Sequence, residues 1–189
     1  MINRFTRLLI FTFLNLPLFS ISQGEWNHWN FGWMAAINFN SGNPVPQLGS
    51  ALGQSAGGTS TTTSDSLGNI LFYSNGYIVW NRNNLVMPNG GSILGGNFCQ
   101  QPVFSVPKIG NTNQYYLFTV GAPMTPPIIG LYYSLIDMTL QGGLGDVVTG
   151  MKNIYIPQGD SAVDQLTGVR HNNNKDIWIV VRKHGPKTK

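Results

Sequence analysis

Charged side chains are scarce in this 189-residue sequence: Asp, Glu, Lys and Arg together make up 10% of the positions, against about a quarter in a typical globular domain. The formal net charge is +4, but most of the basic residues lie near the two ends of the chain. Between Gln23 and Val169 only three basic residues remain, and they stand against six carboxylates. Because a nucleic-acid groove needs a basic face, this composition excludes nucleic acid as the expected partner.

The sequence also has a single cysteine, Cys99. One thiol cannot form an internal disulfide, so the stability of the domain must come from packing and strand pairing. No base or cation stands near Cys99 in the sequence, which favours a small buried hydrophobic residue over a nucleophile or an intermolecular bridge. Amphipathic helical periodicity is absent as well. The 23 glycines and the many Asn, Ser and Thr residues indicate an all-β chain rich in turns.

The first 22 residues have the order of a secretory signal peptide. Arg4 and Arg7 form a basic start, an apolar stretch covers residues 8–19, and a Ser-Ile-Ser sequence precedes Gln23. The apolar stretch is too short and too interrupted to be favoured as a membrane anchor. We therefore predict that residues 1–22 are a signal peptide, removed during Sec-type export to the periplasm, the cell surface or the extracellular space.

Two apolar runs around a tight turn give the clearest strand signal. The sequence GNILFYSNGYIVWN (68–81) reads as two strands joined at Ser74-Asn75-Gly76, because Asn and Gly both accept the positive φ that hairpin turns require. The preceding run TSTTTSD, at residues 59–65, is β-branched and predicts a further strand. Since the hairpin runs are almost continuously apolar, the strands are expected to be buried on both faces.

The same hairpin pattern returns along the chain. Phe72, Phe118 and Trp178 occupy comparable places in three hairpins, at separations of about one propeller blade, on the order of forty to fifty residues. The further runs are NQYYLFTV (113–120), LYYSLIDMTL (131–140), NIYIP (153–157) and LTGVRHNNNKDIWIVVRK (166–183).

This pattern predicts an all-β domain over residues 23–189, namely a partial β-propeller of antiparallel four-stranded meanders with about three blades. A β-sandwich is the alternative, although it would show more alternation and a shorter repeat. Three blades cannot close a ring. Further blades of a longer chain are therefore expected to complete the wheel.

The segment after the predicted signal peptide is dense in aromatic residues. Phe31, Trp33 and Ala35 share one parity, which predicts a strand with one buried face. The following stretch, 41–58, is rich in Gly, Pro and Ser and predicts a loop or an irregular connection.

Three blocks of the sequence resemble a known family. NFGWMAAINFNSGNPVP, SDSLGNILFYSNGYIVWNRNNLVMPNG and LTGVRHNNNKDIWIVVRKHG are similar to the N-terminal propeller-like region of large exported Bacteroidetes proteins, and the resemblance extends from Trp26 to Gly185. Those proteins typically carry a C-terminal sorting domain of the type IX secretion system, often the kind called gliding-motility-associated. No sorting domain is recognisable here, so the chain resembles a truncated member. The resemblance implies surface exposure or secretion and no defined catalytic residues.

Two short patterns are similar to a site for O-glycosylation in Bacteroidetes. They are Asp65-Ser66-Leu67 and Asp160-Ser161-Ala162, each with the order Asp, hydroxyl residue and apolar residue. Both lie in turn-rich stretches that are expected to be exposed.

The polar residues favour structural roles, and we predict no catalytic, cofactor-binding or metal-binding residue. The histidines lack metal-ligand spacing, and His171, in a polar turn, is predicted to lie at the surface. Asp65 and Asp176 precede strands beside Gly or Asn, where a carboxylate accepts hydrogen bonds from local N–H groups. The GGLGD sequence at 142–146 lacks the Lys-Ser/Thr pair and the helix of a phosphate loop, which favours a hairpin turn.

The tryptophans divide into two groups. Trp80 and Trp178 lie within predicted strands and are expected to fill the core. Trp26 and Trp29 fit either core packing or stacking against a carbohydrate.

Together these observations predict an exported, non-enzymatic module that binds or serves as a scaffold at the cell surface or in the medium, including adhesion or gliding. Its partner would be an extracellular protein or a glycan, with no membrane span after signal cleavage. Two alternatives remain open: a fragment of a secreted glycan-active enzyme whose catalytic residues lie outside this chain, and a truncated product without independent activity.

Overall fold

The chain is all-β, as the sequence predicts. The computed structural model describes residues 24–53, 60–96, 99–121, 130–173 and 175–185, and the predicted signal peptide lies outside these ranges. Within them, every element longer than three residues is a β-strand, and the other elements are three 3-10 turns, at Gly24–Trp26, Gln141–Gly143 and Pro157–Gly159, and strands of two or three residues. No helix in the described ranges has the length and apolar character needed to cross a bilayer.

The described residues form four antiparallel sheets, which follow one another in chain order. Sheet 1 contains β1 (His28–Asn30), β2 (Ala35–Asn38) and β3 (Val45–Leu48). Sheet 2 contains β4 (Thr61–Ser64), β5 (Ile70–Ser74) and β6 (Val79–Asn81).

Sheet 3 is the widest. It contains β7 (Val103–Pro107), β8 (Gln114–Val120), β9 (Leu131–Asp137), β10 (Asp146–Val147) and β11 (Ile154–Ile156). Both β10 and β11 pair with β9, at its opposite ends, so the sheet is four strands across. Sheet 4 is the hairpin of β12 (Ala162–Arg170) and β13 (Ile177–Lys183).

The first strands of the sheets lie beside one another. Strand β4 lies between β1 and β7, and β12 packs against β7 and β8. Alternate side chains of β4 point to opposite neighbours: Thr62 Oγ1 accepts a hydrogen bond from the Asn30 N–H of β1 at 3.0 Å. Thr63 Oγ1 and Ser105 Oγ of β7 share a hydrogen bond at 2.6 Å. Successive side chains of a strand point to opposite faces, and both faces of β4 are covered by a neighbouring strand. This explains why the hydroxyl residues of β4 are mostly buried.

The hydrophobic core is distributed between successive sheets. The largest cluster joins sheets 2 and 3 through Phe72, Val79, Leu117 and Ile136, among other residues. A second cluster joins Tyr73 and Trp80 of sheet 2 to Leu52, which lies in the segment after β3. A third, between sheets 3 and 4, contains Val120, Leu131, Ala162 and Leu166. Sheets 2, 3 and 4 therefore bury apolar side chains against one another in chain order, and the segment after β3 covers the other face of sheet 2.

The turn between β5 and β6 differs from the predicted Asn-Gly turn. Gly76 adopts a φ of +85°, but Asn75 does not have a positive φ. The Oδ1 of Asn75 instead accepts the N–H groups of Tyr77 at 3.0 Å and Ile78 at 2.8 Å. Asn75 thus stabilises the turn through its side chain, as Asx residues commonly do, and the expectation that both residues take positive φ is wrong.

The aromatic segment at the start of sheet 1 also differs from its prediction. The chain turns at residues 31–34, where Trp33 and Met34 both have a φ of +63°, so Phe31, Trp33 and Ala35 do not share one strand. Strand β3 lies inside the stretch predicted as a loop. The turn between β1 and β2 was not predicted because a positive φ in two successive bulky residues is rare. No local pattern in the sequence marks it.

The two terminal sheets leave apolar side chains in solvent. Trp178 of sheet 4 is 62% exposed, so the prediction that it fills the core is wrong. Its cross-strand partner Val169 is exposed as well. In sheet 1, Trp29 and Leu48 are exposed. By contrast Trp80 is buried and stacks on Tyr73 with ring centroids 5.5 Å apart, as predicted.

Candidate binding groove

A groove lies along the first strands of sheets 1, 2 and 3. Two adjoining cavities, of about 460 and 310 Å³, form it, and both are lined by Trp26, Thr61, Thr62 and Phe104. Cavities of this size are typical of sites for small molecules. The first strands hold the walls in place because β4 packs between β1 and β7, and β7 packs in turn against β12.

Side-chain hydroxyl groups form hydrogen bonds with backbone N–H and C=O groups along the groove. Strands β1 and β7 each pair with only one strand in the described sheets, which leaves each with a free backbone edge. On β1, the Asn30 C=O accepts a hydrogen bond from Ser60 Oγ, and the Asn30 N–H donates to Thr62. On β7, the Ser105 N–H donates to Thr61 Oγ1 at 3.4 Å. These backbone groups are therefore not free to pair with an added peptide strand.

Three buried polar atoms on the walls have no hydrogen-bond partner among the described residues. They are His28 Nδ1, Asn30 Nδ2 and Ser64 Oγ. His28 is 8% exposed, Asn30 4% and Ser64 2%, and all three residues line the groove. Buried polar groups nearly always find a partner. Each of the three atoms has less than 1 Å² of accessible surface, so a molecule in the groove would pair with them only after their side chains turned toward it.

Trp26 provides an exposed aromatic surface common to both cavities. It is 60% exposed, and its backbone C=O accepts a hydrogen bond from Trp29 Nε1 at 2.9 Å. The Trp29 ring packs on Phe39 at a centroid distance of 5.1 Å. Of the two alternatives that the sequence leaves open, core packing does not describe Trp26.

The groove contains few charges. Glu25, Asp65 and Arg170 are its charged lining residues. Burial lowers the pKa of His28, so its imidazole is uncharged at neutral pH. Tyr115 has a raised pKa, first because it is desolvated and then because Asp65 and Glu25 lie near it, and its phenol stays neutral too. The walls therefore present mainly neutral donors and acceptors.

Asp65 serves the turn before β5, as predicted. Its Oδ1 accepts the N–H groups of Leu67 and Asn69, each at 2.9 Å, and its Oδ2 accepts the Asn69 side chain at 3.0 Å. Partial burial acts to raise the pKa of Asp65, but these hydrogen bonds and Arg82 hold it below its usual value. An ionised carboxylate engaged in this way is suited to stabilising a turn and poorly suited to donating a proton.

Cys99 and His171, which the sequence also singles out, do not line the groove. Cys99 is buried, its thiol lies 3.6 Å from the Gly121 C=O, and burial followed by the charge of Asp164 raises its pKa. The prediction of a small buried residue is confirmed. His171 lies in the β12–β13 turn and accepts the Asn173 N–H at 3.1 Å.

The remaining turn predictions hold with one change. In the β12–β13 turn, Asn173 Oδ1 accepts the N–H groups of Lys175 and Asp176, while the Asp176 carboxylate accepts the Asn173 side chain at 2.7 Å. Asn173 rather than Asp176 is thus the main acceptor. The GGLGD sequence forms the connection between β9 and β10, which confirms a hairpin turn. No group of three or more His, Cys, Asp or Glu side chains in the described ranges is placed to hold a metal ion.

The two candidate glycosylation sites differ in setting. Ser66 is exposed and lines the groove. Ser161 is half-buried and has a φ of +63°. Modification at either serine stays a prediction.

Comparison of the chain with protein-family models, with curated proteins and with solved structures finds no match. The assignment of the groove as a binding site therefore depends on its geometry alone. Sequence reasoning missed most of it: His28, Asn30, the threonines of β4 and Ser105 carried no local motif. The run of hydroxyl residues at 59–64 was the available signal, but the sequence does not show that β4 faces a second strand on each side.

Proposed function

We propose that this chain is an exported, non-enzymatic binding module and that the groove along β1, β4 and β7 is its binding surface. The observation that carries the proposal is a polar groove that is lined by the exposed Trp26 and by side-chain hydroxyl groups, and whose wall residues His28, Asn30 and Ser64 keep unpaired buried polar atoms. Stable folds rarely leave such atoms unpaired, and an exposed aromatic side chain next to them supplies contact area. The signal-peptide pattern of residues 1–22 supports export.

We propose further that the four sheets are blades of a partial β-propeller. Successive sheets pack on one another, and their first strands lie side by side, which is the relation that innermost strands have around a propeller axis. Sheets 2 and 3 support four-stranded blades, because an isolated bridge between Trp80 and Val86 adds a fourth position to sheet 2. The exposed apolar faces of sheets 1 and 4 would then receive further blades.

Charge supports a binding role over catalysis. Asp65 is committed to a turn through its hydrogen bonds from Leu67 and Asn69. Glycoside cleavage requires two carboxyl groups that flank one bond, one of them with a raised pKa. Asp65 has a lowered pKa, which makes it a poor candidate for the acid.

The proposal predicts adsorption to cell envelopes that depends on the groove. The purified chain is incubated with envelopes isolated from a Bacteroidetes bacterium, and the bound fraction is measured. A double variant, Ser66→Arg with Thr112→Arg, places two long cations in the groove at exposed positions. We expect it to lose at least about tenfold in adsorption, a change of about 1.4 kcal/mol.

The matched control adds the same charge elsewhere. Thr149→Arg with Gln158→Arg alters two exposed residues that do not line the groove, and it is expected to adsorb as the unchanged chain does. The proposal fails if the unchanged chain does not adsorb, or if both double variants behave alike.

A further inference from the structure

We infer that the ligand of the groove is a neutral oligosaccharide, an inference that rests on the proposed function and names its ligand class. Four features of the groove support it: the hydroxyl-rich wall, the exposed indole of Trp26, the low charge, and the unpaired polar atoms of its wall residues.

The polar wall matches the chemistry of sugar hydroxyl groups. A sugar hydroxyl donates one hydrogen bond and accepts others, so it pairs with an amide, an imidazole or another hydroxyl. The unpaired atoms are one of each kind: Asn30 Nδ2, His28 Nδ1 and Ser64 Oγ. A ligand that both donates and accepts along its length can pair with the exposed wall residues Ser66, Thr112 and Asn113. It can also pair with the three unpaired atoms once their side chains turn toward the groove, whereas an apolar ligand would leave the polar wall unsatisfied at a cost.

Trp26 supplies the second element of saccharide recognition. Its side chain is exposed and lines both cavities. The flat face of an indole gives a large apolar contact at little entropic cost, and its polar edge remains free to bind water or ligand. The C–H face of a pyranose ring is a suitable partner for such a surface.

The groove disfavours the other ligand classes. An extended peptide would add to a sheet edge through backbone hydrogen bonds, but Asn30 and Ser105 already use edge groups to bind hydroxyl side chains. Among the described residues that line the groove, an anionic ligand would meet the two carboxylates Glu25 and Asp65 and one cation, Arg170. A neutral, polyhydroxylated chain avoids both difficulties.

The experiment measures binding of defined probes to the purified chain. Maltohexaose, cellohexaose, xylohexaose, mannohexaose and chitohexaose are titrated by calorimetry up to millimolar concentration, with an oligogalacturonate as the anionic comparator. We expect at least one neutral probe to bind more tightly than the oligogalacturonate. The bound probe should be recovered uncleaved.

Two matched pairs of variants locate the binding. Trp26→Ala is expected to weaken binding about tenfold, while Trp178→Ala, which removes an equally exposed indole outside the groove, leaves it unchanged. Ser64→Ala is expected to weaken binding about fivefold. Thr119→Val removes another buried, unpartnered hydroxyl that does not line the groove and should have no effect on affinity.

The outcomes separate this inference from the proposed function. The inference is overturned if no neutral probe binds, if the oligogalacturonate binds better, or if each variant behaves like its control. If envelope adsorption still depends on the groove in that case, the binding module stands and its ligand is of another class, such as a protein. If adsorption is also independent of the groove, the proposed function is wrong as well.

Discussion

Replacing Phe72 with alanine is expected to lower the free energy of unfolding by about 3–5 kcal/mol, the usual cost of removing a large aromatic side chain from a core. Phe72 lies on β5 with no exposed surface. Its ring packs edge-on against Tyr115 of sheet 3 at a centroid distance of 5.5 Å. The side chain therefore joins sheets 2 and 3, and its removal leaves a cavity between them. Urea denaturation followed by tryptophan fluorescence measures the change.

Leu67→Ala provides the control for this prediction. Leu67 lies in the turn before β5 and is 79% exposed, so its truncation should change the free energy of unfolding by no more than about 0.5 kcal/mol. A cost below about 1 kcal/mol for Phe72→Ala would mean that sheets 2 and 3 are not packed as described.

A second large effect is expected where the loop after β6 passes over the β5–β6 turn. A Cβ atom at Gly95 would lie 2.4 Å from the Gly76 C=O oxygen and 2.9 Å from its carbonyl carbon. Both are backbone atoms, so the clash cannot be relieved by a rotation of a flexible side chain. Gly95→Ala should cost about 2–3 kcal/mol in the free energy of unfolding, measured as a shift of the urea midpoint at constant slope.

Gly91→Ala isolates the steric part of that effect. Gly91 belongs to the same loop, and a Cβ atom there meets nothing within 4 Å. Its φ is not positive, so alanine should be neutral or should stabilise the chain by about 0.4–1 kcal/mol through the unfolded state. Equal effects of the two alanines would contradict the close approach of this loop to Gly76.

Local patterns were sufficient to predict most strands of sheets 2, 3 and 4. The run ILFYS became β5, and the aromatic run at 113–120 became β8, because runs of apolar, aromatic and β-branched residues favour a strand within a few residues. Phe72, Phe118 and Trp178 do occupy second strands of three sheets. The all-β class is confirmed, and the propeller arrangement of the sheets stays a proposal.

Features that depend on distant neighbours were not predictable. Trp178 has the same local pattern as Trp80, yet one indole is exposed and the other buried, because sheet 2 lies between two sheets and sheet 4 packs against a neighbour, sheet 3, on one side. The groove was missed for a related reason. Thr62 and Thr63 are adjacent in sequence, but their partners lie 32 and 42 residues away, and no local signal encodes such a separation.

The most direct test of the account concerns the place of β4 between β1 and β7. In a Cys99→Ala background, Thr63→Cys with Ser105→Cys should oxidise to an intramolecular disulfide, because the native side-chain oxygens are 2.6 Å apart and a disulfide needs about 2.05 Å between its sulfurs. Thr62→Cys with Ser105→Cys should not, because Thr62 points to Asn30 on the opposite side. Mass spectrometry of the oxidised chains with free-thiol counting distinguishes them. A disulfide in the first pair alone is the predicted result; its absence there, or equal oxidation of both pairs, would contradict the packing on which the groove and its proposed ligand depend.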